Sequence, residues 1–203
     1  MGTINNVFIF SGGKGKRMGI FKKNNVKAFA KVNSKKLLIN HIENVNKYLN
    51  AKKIFVIITE KKNIFEDQLK QFKNVEVISN KKDYTFKGII SGLHLIEKYI
   101  NYDEKFIIFL ADEYYDDKDF NEFCQKAEHI KKYESLIAIK KFKFPQEYFK
   151  NYSVSIDKIN NLITDTEEKN SKIVSDYFGT GLMCLNKNLF EVLKKNNNKK
   201  PFY

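Results

Sequence analysis

Short, wholly apolar runs alternate along this chain with stretches in which apolar residues recur every three or four positions. Val7-Phe8-Ile9-Phe10 is too short for a helix and predicts a buried first strand. Leu38, Ile42, Val45 and Leu49 lie on one helical face and predict an amphipathic helix over Leu37 to Leu49. His41 falls beside that face and reads as a surface or partly packed histidine rather than a catalytic one. The apolar run Lys53 to Thr59 predicts a second buried strand, Ile64 to Phe72 a short helix, and Val75 to Ile78 a strand ending at Ser79-Asn80. A helix over Leu93 to Ile100 follows, then the apolar strand within Lys105 to Glu113, a helix over Phe120 to Tyr133 and a strand over Leu136 to Ile139. Strands alternating with helices predict an α/β fold, with a mainly parallel sheet and helices on both faces. Ligands in such sheets bind at the carboxyl ends of the strands.

Two strand ends carry chemistry. The first strand runs into Ser11-Gly12-Gly13-Lys14-Gly15-Lys16-Arg17-Met18-Gly19. Glycines here let the backbone turn sharply and bring its N–H groups close to another molecule. Three cations in the same loop make that molecule anionic, so the stretch is a phosphate cradle in outline. It is not a P-loop, because Gly15-Lys16 is followed by Arg17 and the place of the first glycine is Phe10. Nor is it a dinucleotide fingerprint, because Met18 stands where the third glycine is needed. The strand after Lys105 ends in Asp112 and Glu113. Adjacent carboxylates at the end of a buried strand are costly unless they are paired, cap a turn or bind a metal. Further on, Asp116, Asp117 and Asp119 precede a helical pattern and suit a helix N-terminus.

Composition narrows the classes. The 203 residues allow one domain with a real core, or at most two small ones. No apolar run approaches the roughly 20 residues of a membrane span, and the N-terminal stretch does not read as a signal peptide. Met1-Gly2 invites a myristoylation reading, but Asn6 stands where Ser or Thr is wanted. Cys124 and Cys184 are too far apart for a metal motif and suggest no disulfide framework, which fits a cytoplasmic protein. The net charge of +13 invites a nucleic-acid reading. Lysine is scattered together with abundant Asn and Ile, and the aromatics sit in strand-like runs, so solvated surface lysines are the better account and nucleic acid is not an expected partner.

Ser-Gly-Gly-x-Gly-x-Arg-Met-Gly directly after a first strand resembles the signature of the nucleotidyltransferases that move a nucleoside monophosphate onto a phosphorylated acceptor. These include sugar-1-phosphate nucleotidyltransferases, cytidylyltransferases of small phosphates and molybdenum cofactor guanylyltransferases. The resemblance implies a three-layer, Rossmann-like mixed sheet of the GT-A kind in a single domain spanning residues 1–203. It implies that Ser11, Gly12, Gly13, Lys14, Gly15 and Lys16 bind nucleotide, with Lys87 and Gly88 in a second nucleotide-binding segment. It gives Arg17 and Lys27 catalytic roles, Lys27 matching the lysine of a Pro-Lys pair whose proline is Val26 in this chain. Asp112 matches the aspartate that holds Mg²⁺ against the triphosphate, with Glu113 behind it.

Later segments resemble the sugar-phosphate branch: a hairpin over Val154 to Asp157 and Ile159 to Thr164, the pair Glu168-Lys169, and a strand over Phe178 to Leu185. Leu189 to Leu193 starts a last helix. Relatives often place a second metal-binding aspartate near the C-terminus. Here three alternatives stand: one carboxylate suffices, Asp176 serves, or the chain continues beyond this sequence. The implied reaction is attack of an acceptor phosphate oxygen on the α-phosphate of a nucleoside triphosphate, releasing pyrophosphate. An acceptor phosphate is already ionised, so no general base is required. A molybdenum cofactor guanylyltransferase and a nucleotide-binding module without turnover are the alternative readings. The implied partners are a nucleoside triphosphate and a small phosphorylated acceptor, with no membrane, and the chain is free to form a homo-oligomer.

Overall fold

The computed structural model describes residues 4–12, 26–80, 89–101, 104–131, 134–143, 152–168 and 175–197. The chain divides into two compact units, Met1–Leu136 with Cys184–Tyr203, and Ile137–Met183.

The first unit is built on parallel strands in the order β5-β4-β1-β6. These are β1 (Ile4–Ser11), β4 (Lys53–Ile58), β5 (Val75–Ser79) and β6 (Lys105–Leu110). A two-stranded hairpin, β2 (Lys31–Val32) and β3 (Lys35–Lys36), lies between β1 and α1 (Leu37–Tyr48). Its turn residues Asn33 and Ser34 both have positive φ, 49° and 68°, as tight primed hairpin turns require. Helices α2 (Lys62–Leu69), α3 (Ile89–Ile96), α4 (Asp117–His129) and α5 (Asn188–Asn197) complete the unit.

Strands β1 and β6 are apolar on both faces because both faces are covered. Val7, Phe8, Ile9, Phe106, Ile107 and Phe109 have no measurable exposure. On one face the Phe8 ring stacks on Phe55 at 5.0 Å and meets Phe106 edge-on at 5.9 Å. Phe106 in turn stacks on Phe190 of α5, and Phe55 contacts Tyr99 just after α3. On the other face Phe109 meets His41 of α1 and Phe120 of α4. The expected α/β class, with a mainly parallel mixed sheet and helices on both faces, is the observed one.

Close contact between α3 and β1 depends on Gly92. A Cβ at that position would lie 2.0 Å from the Phe10 ring, so only glycine lets the helix rest on the last aromatic of β1. At the other end of the sheet, Lys105 is 1% exposed at the start of β6. Its ammonium donates to the carbonyls of Ala127, Glu128 and Ile130 at 2.7, 3.0 and 3.2 Å. A cation there meets the negative end of the α4 dipole as well as its last carbonyls.

The second unit is antiparallel. It holds β7 (Leu136–Lys141), β8 (Tyr152–Asp157), β9 (Leu162–Glu168) and most of β10 (Tyr177–Asn186), with β8 between β9 and β10 and β7 on β10. Gly179 leaves room for the Tyr152 ring, whose hydroxyl donates to the Thr180 carbonyl at 3.2 Å.

Several boundaries differ from expectation. Helix α3 starts at Ile89 rather than Leu93, and α4 at Asp117 rather than Phe120. The second hairpin strand starts at Leu162, so Ile159 lies in the turn, 90% exposed, with its N–H donating to Asp157 Oδ1. His41 is 1% exposed rather than a surface or partly packed residue, because α4 and the segment after β6 cover the flank of α1.

Candidate active site

The parallel register brings two chemically marked strand ends together. Phe10 of β1 lies beside Ile57 of β4 and Leu110 of β6, and Ser11 beside Ile58. The Ala111 N–H donates to the Phe10 carbonyl at 2.9 Å, which carries the pairing one residue past β6. Asp112 therefore emerges next to Ser11-Gly12, at the carboxyl ends of both strands. Gly12 lies over the end of β4, where a Cβ would sit 3.6 Å from Thr59 Cγ2.

Lys27 reaches the same place from a different element. It opens a 3-10 turn, Lys27–Phe29, closed by Phe29 N–H to Val26 O at 2.9 Å and Ala30 N–H to Lys27 O at 3.0 Å. Buried Ala28 and the Phe29 ring, 5.1 Å from Phe65 of α2, anchor the turn. A bond from Leu37 N–H to Ala30 O at 2.9 Å ties it to the start of α1. Val26, at the expected proline position, keeps an extended backbone with φ −83° and ψ 128°, near the φ that a proline ring would impose.

The Lys27 ammonium donates to Asp112 Oδ2 in an ion pair whose side chains remain 50% and 36% exposed. The site thus holds a cation and a carboxylate that water, and other ions, can reach. Behind it the chain turns: Glu113 N–H donates to Leu110 O at 3.4 Å, and the Tyr115 hydroxyl donates to the Glu113 carboxylate. Asp116 then caps α4, accepting from Asp119 N–H at 2.8 Å, which is the role its sequence position suggested.

His41 packs beneath this turn. Its ring lies 5.1 Å from Phe109 and 5.9 Å from Tyr115. Burial pushes its pKa down to about 4 against the opposing pull of the Glu113 backbone and of the Asp112 charge, so the imidazole is neutral at pH 7. The helical pattern of Leu38, Ile42 and Val45 put His41 beside the apolar face, but nothing local showed that a second element would close over it.

The sequence-predicted residues divide accordingly. Ser11, Gly12, Lys27 and Asp112 come together at one end of the sheet. Gly13, Lys14, Gly15, Lys16, Arg17, Lys87 and Gly88 lie outside the described residues. Asp176 is exposed in the second unit, where its carbonyl accepts from Phe142 N–H at 2.9 Å.

The donor set bears on the implied metal. Among the described residues no group of three or more His, Cys, Asp or Glu could hold an ion. A closed zinc or calcium cage has no such basis here. Among the described residues Asp112 is the reachable carboxylate at the carboxyl ends of β1 and β6, a donor that fits Mg²⁺, which is commonly held by one or two carboxylates together with substrate phosphates and water.

The family model for nucleotidyl transferases matches residues 6–202. No curated protein matches the chain. Among solved structures, a Bacillus anthracis protein assigned as a glucose-1-phosphate thymidylyltransferase, in complex with sucrose, aligns over 97% of this chain and 76% of its own, with a TM-score of 0.77 and 20% identity. The inositol-1-phosphate CTP transferase from T. maritima aligns over 99% of this chain and 78% of its own, with a TM-score of 0.75 and 16% identity. A UDP-glucose pyrophosphorylase complexed with UDP-glucose aligns over 95% and 80%, with a TM-score of 0.73 and 17% identity. At these identities the likeness shows the fold, and the family match covers nearly the whole chain. The chain belongs to the nucleotidyl transferase family.

Proposed function

We propose that this protein transfers a nucleoside monophosphate from a nucleoside triphosphate to a small phosphorylated acceptor, of the sugar-phosphate kind, and releases pyrophosphate. The observation that carries the reading is the meeting of Ser11-Gly12, Lys27 and Asp112 at the carboxyl ends of β1 and β6. The structural neighbours act in the same direction, since their names specify thymidylyl transfer, CTP transfer and UDP-glucose.

Two anionic reactants must be held together, so positioning and charge neutralisation account for most of the catalysis. In this reading the glycine-rich loop from Ser11 to Arg17 holds the phosphates, its amides and cations offsetting their charge. Lys87 and Gly88 contribute to nucleotide binding. Lys27, anchored by the buried Ala28 and the Phe29–Phe65 contact, presents its ammonium to charge developing at the α-phosphate. Asp112 would hold Mg²⁺, which when bound would neutralise charge on the triphosphate. A side-chain general base is unnecessary, and the neutral, buried His41 is no candidate for one.

The test is a matrix of the four common nucleoside triphosphates against phosphorylated acceptors, read as pyrophosphate release. One or a few triphosphate–acceptor pairs should release pyrophosphate in step with a new nucleoside diphosphate product. Triphosphate binding with no release for any acceptor would support a binding module without turnover instead.

A further inference from the structure

The two charged groups of the site hold each other in the ligand-free chain. The Lys27 ammonium donates to Asp112 Oδ2 from an element 85 positions away. The adjacent acid is engaged differently, the Glu113 carboxylate accepting from the Tyr115 hydroxyl. In the functional reading above, Lys27 faces the α-phosphate and Asp112 faces a metal. Neither role is filled while the two groups are paired, because an ammonium on a carboxylate oxygen stands where another cation would bind. A divalent cation approaching the pair meets a charge that is already balanced, and the ammonium repels it at the short range where Coulomb forces are largest. Among the described residues no group of three or more His, Cys, Asp or Glu stands by to outweigh that repulsion. A triphosphate changes the balance, because it brings anionic oxygens for both cations.

We propose that Lys27 is a charge latch on Asp112: in the ligand-free protein its ammonium keeps free divalent cations off the carboxylate, and a triphosphate draws the ammonium away, so that the metal enters with the nucleotide rather than before it. The proposal rests on the reading of this site as one that receives a metal-bound triphosphate. Lys27 is built for such an exchange. Its backbone is fixed by the 3-10 turn, by buried Ala28 and by the Phe29–Phe65 contact. Its side chain is half exposed and ends in a compact charge on a flexible four-carbon stem, so the ammonium can change partners while the turn stays in place. The pair itself is open to solvent and adds little to stability, so parting it is easy.

The experiment titrates Mn²⁺ alone into the nucleotide-free protein, followed by water proton relaxation, because Mn²⁺ takes the same carboxylate and water ligands as Mg²⁺. Wild type, Lys27→Met, Asp112→Asn and the double variant are compared; Met keeps most of the lysine stem and removes its charge. The expected result is weak Mn²⁺ binding in wild type, binding about 10-fold tighter in Lys27→Met, and no gain from Lys27→Met once Asp112 is Asn. In calorimetry with Mg²⁺ present, Lys27→Met should bind triphosphate about 10-fold more weakly than wild type, so one substitution moves the two affinities in opposite directions. Equal Mn²⁺ affinity in wild type and Lys27→Met, a gain that persists in the Asp112→Asn background, or unchanged triphosphate affinity in Lys27→Met would overturn the proposal. The Mn²⁺ series needs no nucleotide. If wild type binds no triphosphate, the functional reading fails, while that series still decides whether Lys27 screens Asp112.

Discussion

Lys27 and Asp112 are 85 positions apart in the chain and paired in space, and each of their neighbours has a physical reason to put them there. The pair is half exposed, and exposed ion pairs contribute about 0–1 kcal/mol to stability. Its value to the fold is therefore small, and its value to the reaction is where the cation sits. Lys27→Ala should melt within a few degrees of wild type while lowering the turnover number on the order of 100-fold, read by pyrophosphate release beside a thermal melt. A variant that loses its fold but keeps specific activity would contradict this assignment. Asp112 was legible in the sequence, because an apolar strand that ends in two acids calls for an explanation. Lys27 was legible only through resemblance, since the residues around it form no strong pattern. His41 was not legible as a buried group, because its burial is made by the turn after β6 and by α4, which follow it by about seventy positions.

At the scale of elements, apolar strands were the clearest signal and helix starts the weakest. Helix α3 begins four residues before its expected start, because Gly92 reads as a loop residue by propensity. In the folded chain the same missing Cβ is what admits the Phe10 ring, so tertiary packing overrides the local preference. Helix α4 begins at Asp117 because Asp116 supplies the cap, a signal that was present in the sequence and placed correctly in role though not in boundary. Lys105 shows the opposite case. As a lysine at a strand edge it suggests solvent, yet it is buried and satisfied by three carbonyls at the end of α4. Lys105→Met keeps the stem and removes the donor, leaving those carbonyls to find other partners. Denaturant titration should show a loss of about 2 kcal/mol or more. An unchanged midpoint would mean that water replaces the ammonium at no cost.

On the scale of the molecule, the alternation of strands and helices was enough to predict the parallel core of the first unit, while in the second unit only the hairpin of β8 and β9 was expected, and that through resemblance. What periodicity could not supply was the set of partners across the sheet, which depends on contacts far apart in sequence. Cys124 and Cys184 are an example. Both lie in the first unit, both are buried, and desolvation pushes each thiol from 9.0 up to about 12. Such thiols are neutral in the folded chain and ionise above pH 9 in the unfolded one. Between pH 9 and 12 the folded state therefore holds more protons, and stability falls as pH rises. Each thiol contributes about 1.4 kcal/mol per pH unit across that window. Urea midpoints measured from pH 8 to 11 should fall less steeply in Cys124→Ala than in wild type, each compared with its own midpoint at pH 8. An identical pH slope would show that the thiol is not protected in the folded state.

The central claim is that the ends of β1 and β6 together receive a metal-bound triphosphate, with Asp112 as the carboxylate that meets the metal. Calorimetry of triphosphate binding, with and without Mg²⁺, in wild type and in Asp112→Asn, tests it most directly. Asn keeps the size and much of the hydrogen bonding of Asp while removing the charge that Mg²⁺ requires. Wild type should bind triphosphate markedly more tightly with Mg²⁺ than without it, and Asp112→Asn should fold but lose most of that difference. Wild-type binding indifferent to Mg²⁺, or a variant that retains the full metal dependence, would contradict the account.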